Sequence, residues 1–145
     1  MIGLLQRVTR AEVSVDDRCI ARIGPGLLVL VGVQKGDDEV RAERLLERLL
    51  GYRVFEDETG RMNLSLLETG GGLLLVPQFT LAADTHKGRR PGFSNAAAPE
   101  EGARLFAHLF GRAGGQLAEL QSGEFGADMQ VSLVNDGPVT FWLET

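Results

Sequence analysis

The stretch GLLVLVGVQKGDDEVRAERLLERLLG, residues 26–51, decides the fold. Residues 27–33 form an unbroken apolar run rich in valine. A strand with one wet face alternates apolar and polar residues, so this run predicts a strand covered on both faces. Gly36-Asp37-Asp38 then breaks the pattern. An aspartate just ahead of a periodic segment is placed to accept the free amides of a helix start. Beyond it Ala42, Leu45, Leu46, Leu49 and Leu50 recur at i, i+3, i+4, i+7 and i+8, with Arg41, Arg44, Glu47 and Arg48 outside the stripe. That spacing gives a helix one apolar face, and Gly51 predicts its end. A doubly covered strand followed by a helix able to cover it points to an α/β domain.

The flanks agree with this unit. Toward the N-terminus, residues 2–15 read as a half-buried strand, with Val8, Val13 and Val15 among polar neighbours. A turn at Asp16-Asp17, a short strand at 19–23 and a turn at Gly24-Pro25-Gly26 lead into the decisive run. Toward the C-terminus, residues 53–56 read as a strand and Asp57-Glu58-Thr59-Gly60 as a turn. Residues 73–79 predict another buried strand. Residues 81–98 are long, polar and glycine-containing, which fits a functional loop. Pro99-Glu100-Glu101 opens a second helix, with Leu105, Phe106, Leu109 and Phe110 on its apolar face and Gly114-Gly115 after it. Residues 117–121, 129–134 and 139–143 read as closing strands. There is no repeat, linker or low-complexity tract, so residues 1–145 are expected to form one compact α/β domain with two main helices.

Composition narrows the function classes. A chain that is 43% hydrophobic and 24% charged is not disordered. One cysteine, Cys19, excludes an internal disulfide and reads as a small core residue of its strand. The apolar runs fall well short of the ~20 residues that span a bilayer. No basic segment leads into an apolar stretch and a cleavage site, so no signal peptide is expected. A cytoplasmic protein without membrane partners is the expectation. Residues 1–98 carry 13 acidic and 13 basic groups, while residues 99–145 carry 7 and 2, which is where the net charge of −5 arises. General coating of DNA or RNA needs a basic excess. No DNA partner is therefore expected, and any RNA contact must be local. The densest basic cluster is His86-Lys87-Gly88-Arg89-Arg90.

Several motifs fail on inspection. Residues 57–68 have the length of a calcium loop, but Arg61 and Met62 stand where a ligand and a glycine are needed. Gly92-Phe93-Ser94-Asn95-Ala96 resembles a nucleophile elbow without the strand that must precede it. Gly70-Gly71-Gly72 lacks the lysine of a phosphate loop. His86, His108 and Cys19 share no metal-ligand spacing, and His108 reads as a solvated or capping residue. No metal and no cofactor are expected.

Two segments remain. Pro77-Gln78-Phe79-Thr80-Leu81 lies where a buried strand runs into the long loop, and strand ends of this kind bind ligands in α/β proteins. From spacing alone the favoured reading is a plain strand end with a satisfied threonine. Asn135-Asp136-Gly137-Pro138-Val139-Thr140 has the chemistry of a hairpin turn. Proline donates nothing to a ladder, however, and about 5–6% of the bonds before proline are cis. The same segment therefore also reads as a rigid prong without side-chain bulk. Gly24-Pro25 carries no such context.

At these segments the sequence resembles the D-aminoacyl-tRNA deacylase family, also called D-tyrosyl-tRNA deacylases. The resemblance runs through Gln6-Arg7-Val8, Phe55-Glu56-Asp57 with Gly60 and Met62-Asn63, and Gln78-Phe79-Thr80-Leu81. It continues in Ala83-Asp84, Lys87-Gly88-Arg89-Arg90-Pro91, residues 123–129 and residues 135–140. It implies a barrel-like arrangement of mixed and antiparallel sheets in a homodimer. It also implies hydrolysis of the ester joining a D-amino acid, or glycine, to the acceptor end of tRNA. Gln78, Phe79 and Thr80 would form the catalytic segment. Gly137 and Pro138 of one subunit would enter the other's pocket and exclude L-amino acids, with Arg7 holding the prong. Lys87, Arg89 and Arg90 are expected to contact tRNA. The family pattern has serine where this chain has Pro77, which removes a hydroxyl and a backbone donor and puts in doubt a required role for that serine.

Direct attack by water, with the Phe79 and Thr80 amides holding the oxyanion, is the expected mechanism. Acyl transfer through Thr80 is the competing one, and His86 is the histidine near it in sequence. A noncatalytic RNA-binding dimer and a hydrolase of other small esters or amides stand as further readings.

Overall fold

The computed structural model describes residues 1–86 and 88–145. The strands are β1 (Ile2–Val15), β2 (Arg18–Ile23), β3 (Gly26–Gly32), β4 (Phe55–Glu56), β5 (Met62–Leu64), β6 (Gly72–Pro77), β7 (Leu120–Ser122) and β8 (Gln130–Glu144). The α-helices are α1 (Glu39–Gly51), α2 (Leu66–Thr69) and α3 (Pro99–Ala113), with a 3-10 turn at Phe79–Ala82. Six strands form one mixed sheet in the order β2-β1-β3-β6-β7, with β8 also paired to β1. β1 is antiparallel to β2, β3 and β8, whereas β3-β6 and β6-β7 are parallel. The sheet curls until β2 approaches β6 and β7, giving a nearly barrel-shaped single domain.

The curl explains the unbroken apolar runs. Leu27, Val29 and Val31 of β3 and Leu73 and Leu75 of β6 face a core shared with α1 and α3. Leu28, Leu74 and Val76 face a second core inside the curl, with Val8, Val13, Ala21 and Ile23. Both faces of β3 and β6 are thus dry. Leu45 and Leu49 of α1 and Leu105 and Leu109 of α3 are fully buried. Asp38 caps α1 by accepting from the Arg41 amide at 2.9 Å.

Four sequence expectations need correction. Cys19 is exposed rather than a core residue. Val13 pairs with Ala21 but Ser14 with Cys19, so Ile20 is an extra residue in β2 and Cys19 falls out of phase with buried Ala21 and Ile23. The strand predicted at 73–79 stops at Pro77, and the chain coils into the 3-10 turn. Residues 129–134 and 139–143 are not the arms of a hairpin. Both lie in β8 and run the same way along β1, with residues between them displaced outward. His108 neither caps a helix nor stands free in solvent, since its Nε2 lies 3.2 Å from Glu43 Oε1 of α1. The short helix α2 has no apolar periodicity, but Ser65 and Glu68 close a capping box around its start.

Candidate active site

The end of β6 builds the first half of the site. The Gln78 amide donates to the Val31 carbonyl at 2.7 Å, and the chain then turns through Phe79–Ala82 over the end of β3. Gly32 makes that turn possible, because a Cβ there would lie 2.9 Å from Leu81 Cβ and 3.2 Å from the Gln78 oxygen. β6 pairs with β7 only as far as Leu75, and Pro77 has no N–H with which to extend the ladder. Among the described residues, no acceptor meets the Phe79 or Thr80 N–H. Gln78 Nε2 donates to Thr80 Oγ1 at 2.6 Å. His86 is exposed and its own amide donates to Asp84; among the described residues, no hydrogen bond joins it to Thr80.

This turn is a ridge between two cavities. One, of about 270 Å³, is walled by Val31, Pro77, Phe79, Pro99, Phe106 and Phe125. The other, of about 420 Å³, is walled by Gln34, Thr80, Thr85, Asn95, Trp142 and Glu144. The first is therefore apolar and aromatic, and the second mixed, with Ile2, Leu81 and Ala82 beside the polar side chains. Gly102 of α3 keeps the first one open, since a Cβ there would meet the Phe125 ring at 3.2 Å. Phe93, on the loop after the turn, packs against Phe79 with ring centroids 5.1 Å apart and planes tilted by 52°.

The second half is the displaced part of β8. Gln6 pairs with Thr140 and Val8 with Asn135, so five steps of β8 answer two of β1. The surplus projects as a prong carrying exposed Gly137 and Pro138, joined by a cis peptide bond. Gly24–Pro25 is not cis. Gly137 has φ +140, and a Cβ on it would lie 2.6 Å from Val139 Cγ2 and 3.3 Å from Arg7 Nη2. Arg7, buried beneath the prong, donates through Nε to the Asp136 carbonyl at 3.0 Å and through Nη1 to the Val54 carbonyl at 2.6 Å. Its guanidinium also stands 3.4 Å from the Asp136 carboxylate and 3.9 Å from Glu56. The β4-β5 hairpin behind it turns on Asp57. The Thr59 hydroxyl, then the Arg61 and Thr59 amides, hold the Asp57 carboxyl below the usual carboxylate range.

The structure brings Gln78 and Thr80 together, and Arg7 and Gly137 together, but separates the two pairs within one chain. The Gln78–Ala82 turn sits over Gly32, which pairs with Ile2, whereas the prong stands opposite Arg7. Five residues of strand separate those positions, about 16 Å at 3.3 Å per residue. Arg89 and Arg90 are exposed on a loop closed by two backbone bonds between Asp84 and Gly92, and Lys87 lies outside the described residues. Among the described residues, no three His, Cys, Asp or Glu side chains converge as a metal site. No helix among them is long and apolar enough to cross a membrane. Phe125 and Gly102 belong to the walls of the apolar cavity without being singled out by sequence. Phe125 stood in a motif, but nothing in its spacing marks it as a cavity wall.

The family model and the curated relatives agree on one family. The family model described as D-Tyr-tRNA(Tyr) deacylase matches residues 4–144. A D-aminoacyl-tRNA deacylase of Thioalkalivibrio sulfidiphilus is 65% identical over 144 residues, covering 99% of this chain and 97% of the relative. The protein of the same name from Alkalilimnicola ehrlichii is 62% identical over 99% of this chain and 96% of its own. A solved structure described as c-Myc DNA Unwinding Element Binding Protein superposes with TM-score 0.96 at 36% identity, covering 100% of this chain and 99% of that one. A probable eukaryotic D-amino acid tRNA deacylase superposes with TM-score 0.82 at 21% identity over 99% of this chain and 98% of its own, a likeness of fold.

Proposed function

The chain belongs to the D-Tyr-tRNA(Tyr) deacylase family, and from that premise we propose that it is a hydrolase of D-aminoacyl-tRNA that spares L-aminoacyl-tRNA. The observation that carries the chemistry is the pair of amides at Phe79 and Thr80 that meet no acceptor among the described residues, on a ridge between an apolar cavity and a mixed one. The apolar cavity, with the Phe79 and Phe125 rings, suits a planar base, because stacking on aromatic rings is the general means of holding one. The terminal nucleoside of tRNA lies there. The aminoacyl group then crosses the ridge toward Thr80, where polar side chains can receive its ammonium.

Water attacks the ester carbonyl while the two amides hold the developing oxyanion. The acyl carbon gains the water oxygen, the bond to the ribose oxygen breaks, and that oxygen leaves with a proton. The neighbouring ribose hydroxyl assists this transfer. Gln78 orients the floor through Thr80. Water is favoured over Thr80 as nucleophile because the partner of Thr80 Oγ1 is an amide donor rather than a base.

Chirality requires a second subunit. The prong stands about 16 Å along the strands from its own chain's ridge, so it can act only on the ridge of another copy. In the homodimer Gly137 and Pro138 form a wall where the side chain of an L-amino acid would lie. Rejection by collision is effective against a side chain and powerless against glycine, so glycyl-tRNA is also a substrate. Arg89 and Arg90, with Lys87, meet the tRNA phosphates. The test is to compare D-tyrosyl-tRNA with a free D-tyrosine ester. The proposal expects efficient hydrolysis of the charged tRNA alone. Equal efficiency on the free ester would make this a general esterase, and inactivity on both would leave an RNA-binding dimer.

A further inference from the structure

The prong has a second clamp besides Arg7, and it lies in the prong itself. Asn135 is the last residue of β8 paired with β1 before the displacement, opposite Val8. Its side chain is half-buried and reaches forward across the base of the prong. Oδ1 accepts from the Val139 N–H at 2.6 Å. Nδ2 donates to Thr140 Oγ1 at 2.9 Å and approaches the Val139 carbonyl at 3.3 Å. Both ends of one side-chain amide are therefore occupied by the returning limb.

The reason is a deficit of ladder partners. Between Val8 and Gln6, β1 offers only Arg7 to the four residues from Asp136 to Val139. Val139 is buried, so its N–H and carbonyl need partners within the protein. The Asn135 amide supplies a donor and an acceptor in the relative positions of a missing strand. Arg7 fixes the outgoing limb at Asp136, and Asn135 fixes the returning limb at Val139 and Thr140. Gly137 and Pro138 lie between these two fixed points.

We propose that Asn135 is a specificity-determining positioning residue, which sets where Gly137 and Pro138 stand without itself touching the substrate. The proposal rests on the reading of the prong as the chirality wall. A wall discriminates between enantiomers only if it stays in place. Loosening it admits the L-substrate, while the amides of the ridge go on hydrolysing the D-substrate.

The experiment measures deacylation of D-tyrosyl-tRNA and L-tyrosyl-tRNA by the full-length protein and its Asn135→Ala, Asn135→Asp and Pro138→Ala variants. Melting curves establish that each is folded at the assay temperature. Asn135→Ala is expected to lower the D-to-L rate ratio at least tenfold, with the D rate within threefold of the parent. Asn135→Asp keeps the acceptor for the Val139 amide, and the Thr140 hydroxyl can turn to donate, so it should retain the ratio within threefold. A parental ratio in Asn135→Ala, where Pro138→Ala has lost it, overturns the role of Asn135 and leaves the wall standing. A parental ratio in both overturns the wall and this proposal with it. If Asn135→Ala does not fold, the isosteric Thr140→Val removes the 2.9 Å hydrogen bond alone and should lower the ratio about threefold. No change there also overturns the proposal.

Discussion

Thr80 meets the Gln78 side chain through its oxygen, with a nitrogen as the donor. A hydroxyl held this way is a poor nucleophile and a useful part of the floor. Thr80→Ala should therefore retain deacylation within about a thousandfold of the parent in single-turnover assays, because one hydroxyl acting only as a donor is worth about 10²–10³. A larger loss in a folded variant would restore the acyl-enzyme scheme. Arg7→Lys keeps the charge but replaces a fork by a single point, so it cannot reach the Asp136 and Val54 carbonyls in the same geometry. Its expected signature is a rise in L-tyrosyl-tRNA hydrolysis with the D rate little changed. At this scale, proline in a strand-like segment is legible because it breaks a simple rule of the ladder. Asn135 is not, since its partners are set by how many residues of β1 stand opposite the prong. Cys19 misleads for the same reason: one extra residue in β2 reverses which face it occupies.

The elements respond to ordinary packing rules. α1 is the most legible of them, with cap, stripe and stop all readable in residues 38–51. Asp38→Ala should cost about 1 kcal/mol in denaturant unfolding, the usual worth of such a cap. Leu49→Ala, at a fully buried position facing the sheet, should cost about 2–5 kcal/mol. The carboxyls of Glu68, held by the Ser65 hydroxyl and amide, and of Asp57 both lie below their ordinary values. Groups of this kind stabilise the fold fully above the ordinary carboxylate pKa of about 4 and lose that effect as pH falls through the lower folded value. The melting temperature should thus be flat in this respect from pH 6 to 5 and fall below about pH 4. The β8 displacement is the element that local sequence misassigns. Asn-Asp-Gly-Pro suits a hairpin, and only long-range pairing with β1 on both sides makes it a prong.

At the scale of the molecule, the nearly barrel-shaped curl accounts for two runs that are dry on both faces, whereas the proposed site needs a second chain to close it. Sequence carries both segments of the proposed site but not their separation, which depends on the register of β1 against β3 and β8. The protein should sediment as a dimer of the 15.7 kDa chain under assay conditions. Replacing Lys87, Arg89 and Arg90 with alanine should weaken tRNA binding and flatten its dependence on salt, by roughly 0.7–0.9 in log-log slope for each phosphate the variant no longer neutralises. The most direct test of the whole account is deacylation of D-tyrosyl-tRNA and L-tyrosyl-tRNA, side by side on the same tRNA. The account predicts rapid loss of the D ester with the L ester intact. Equal loss of both would contradict the chirality wall, and loss of neither would contradict the hydrolase.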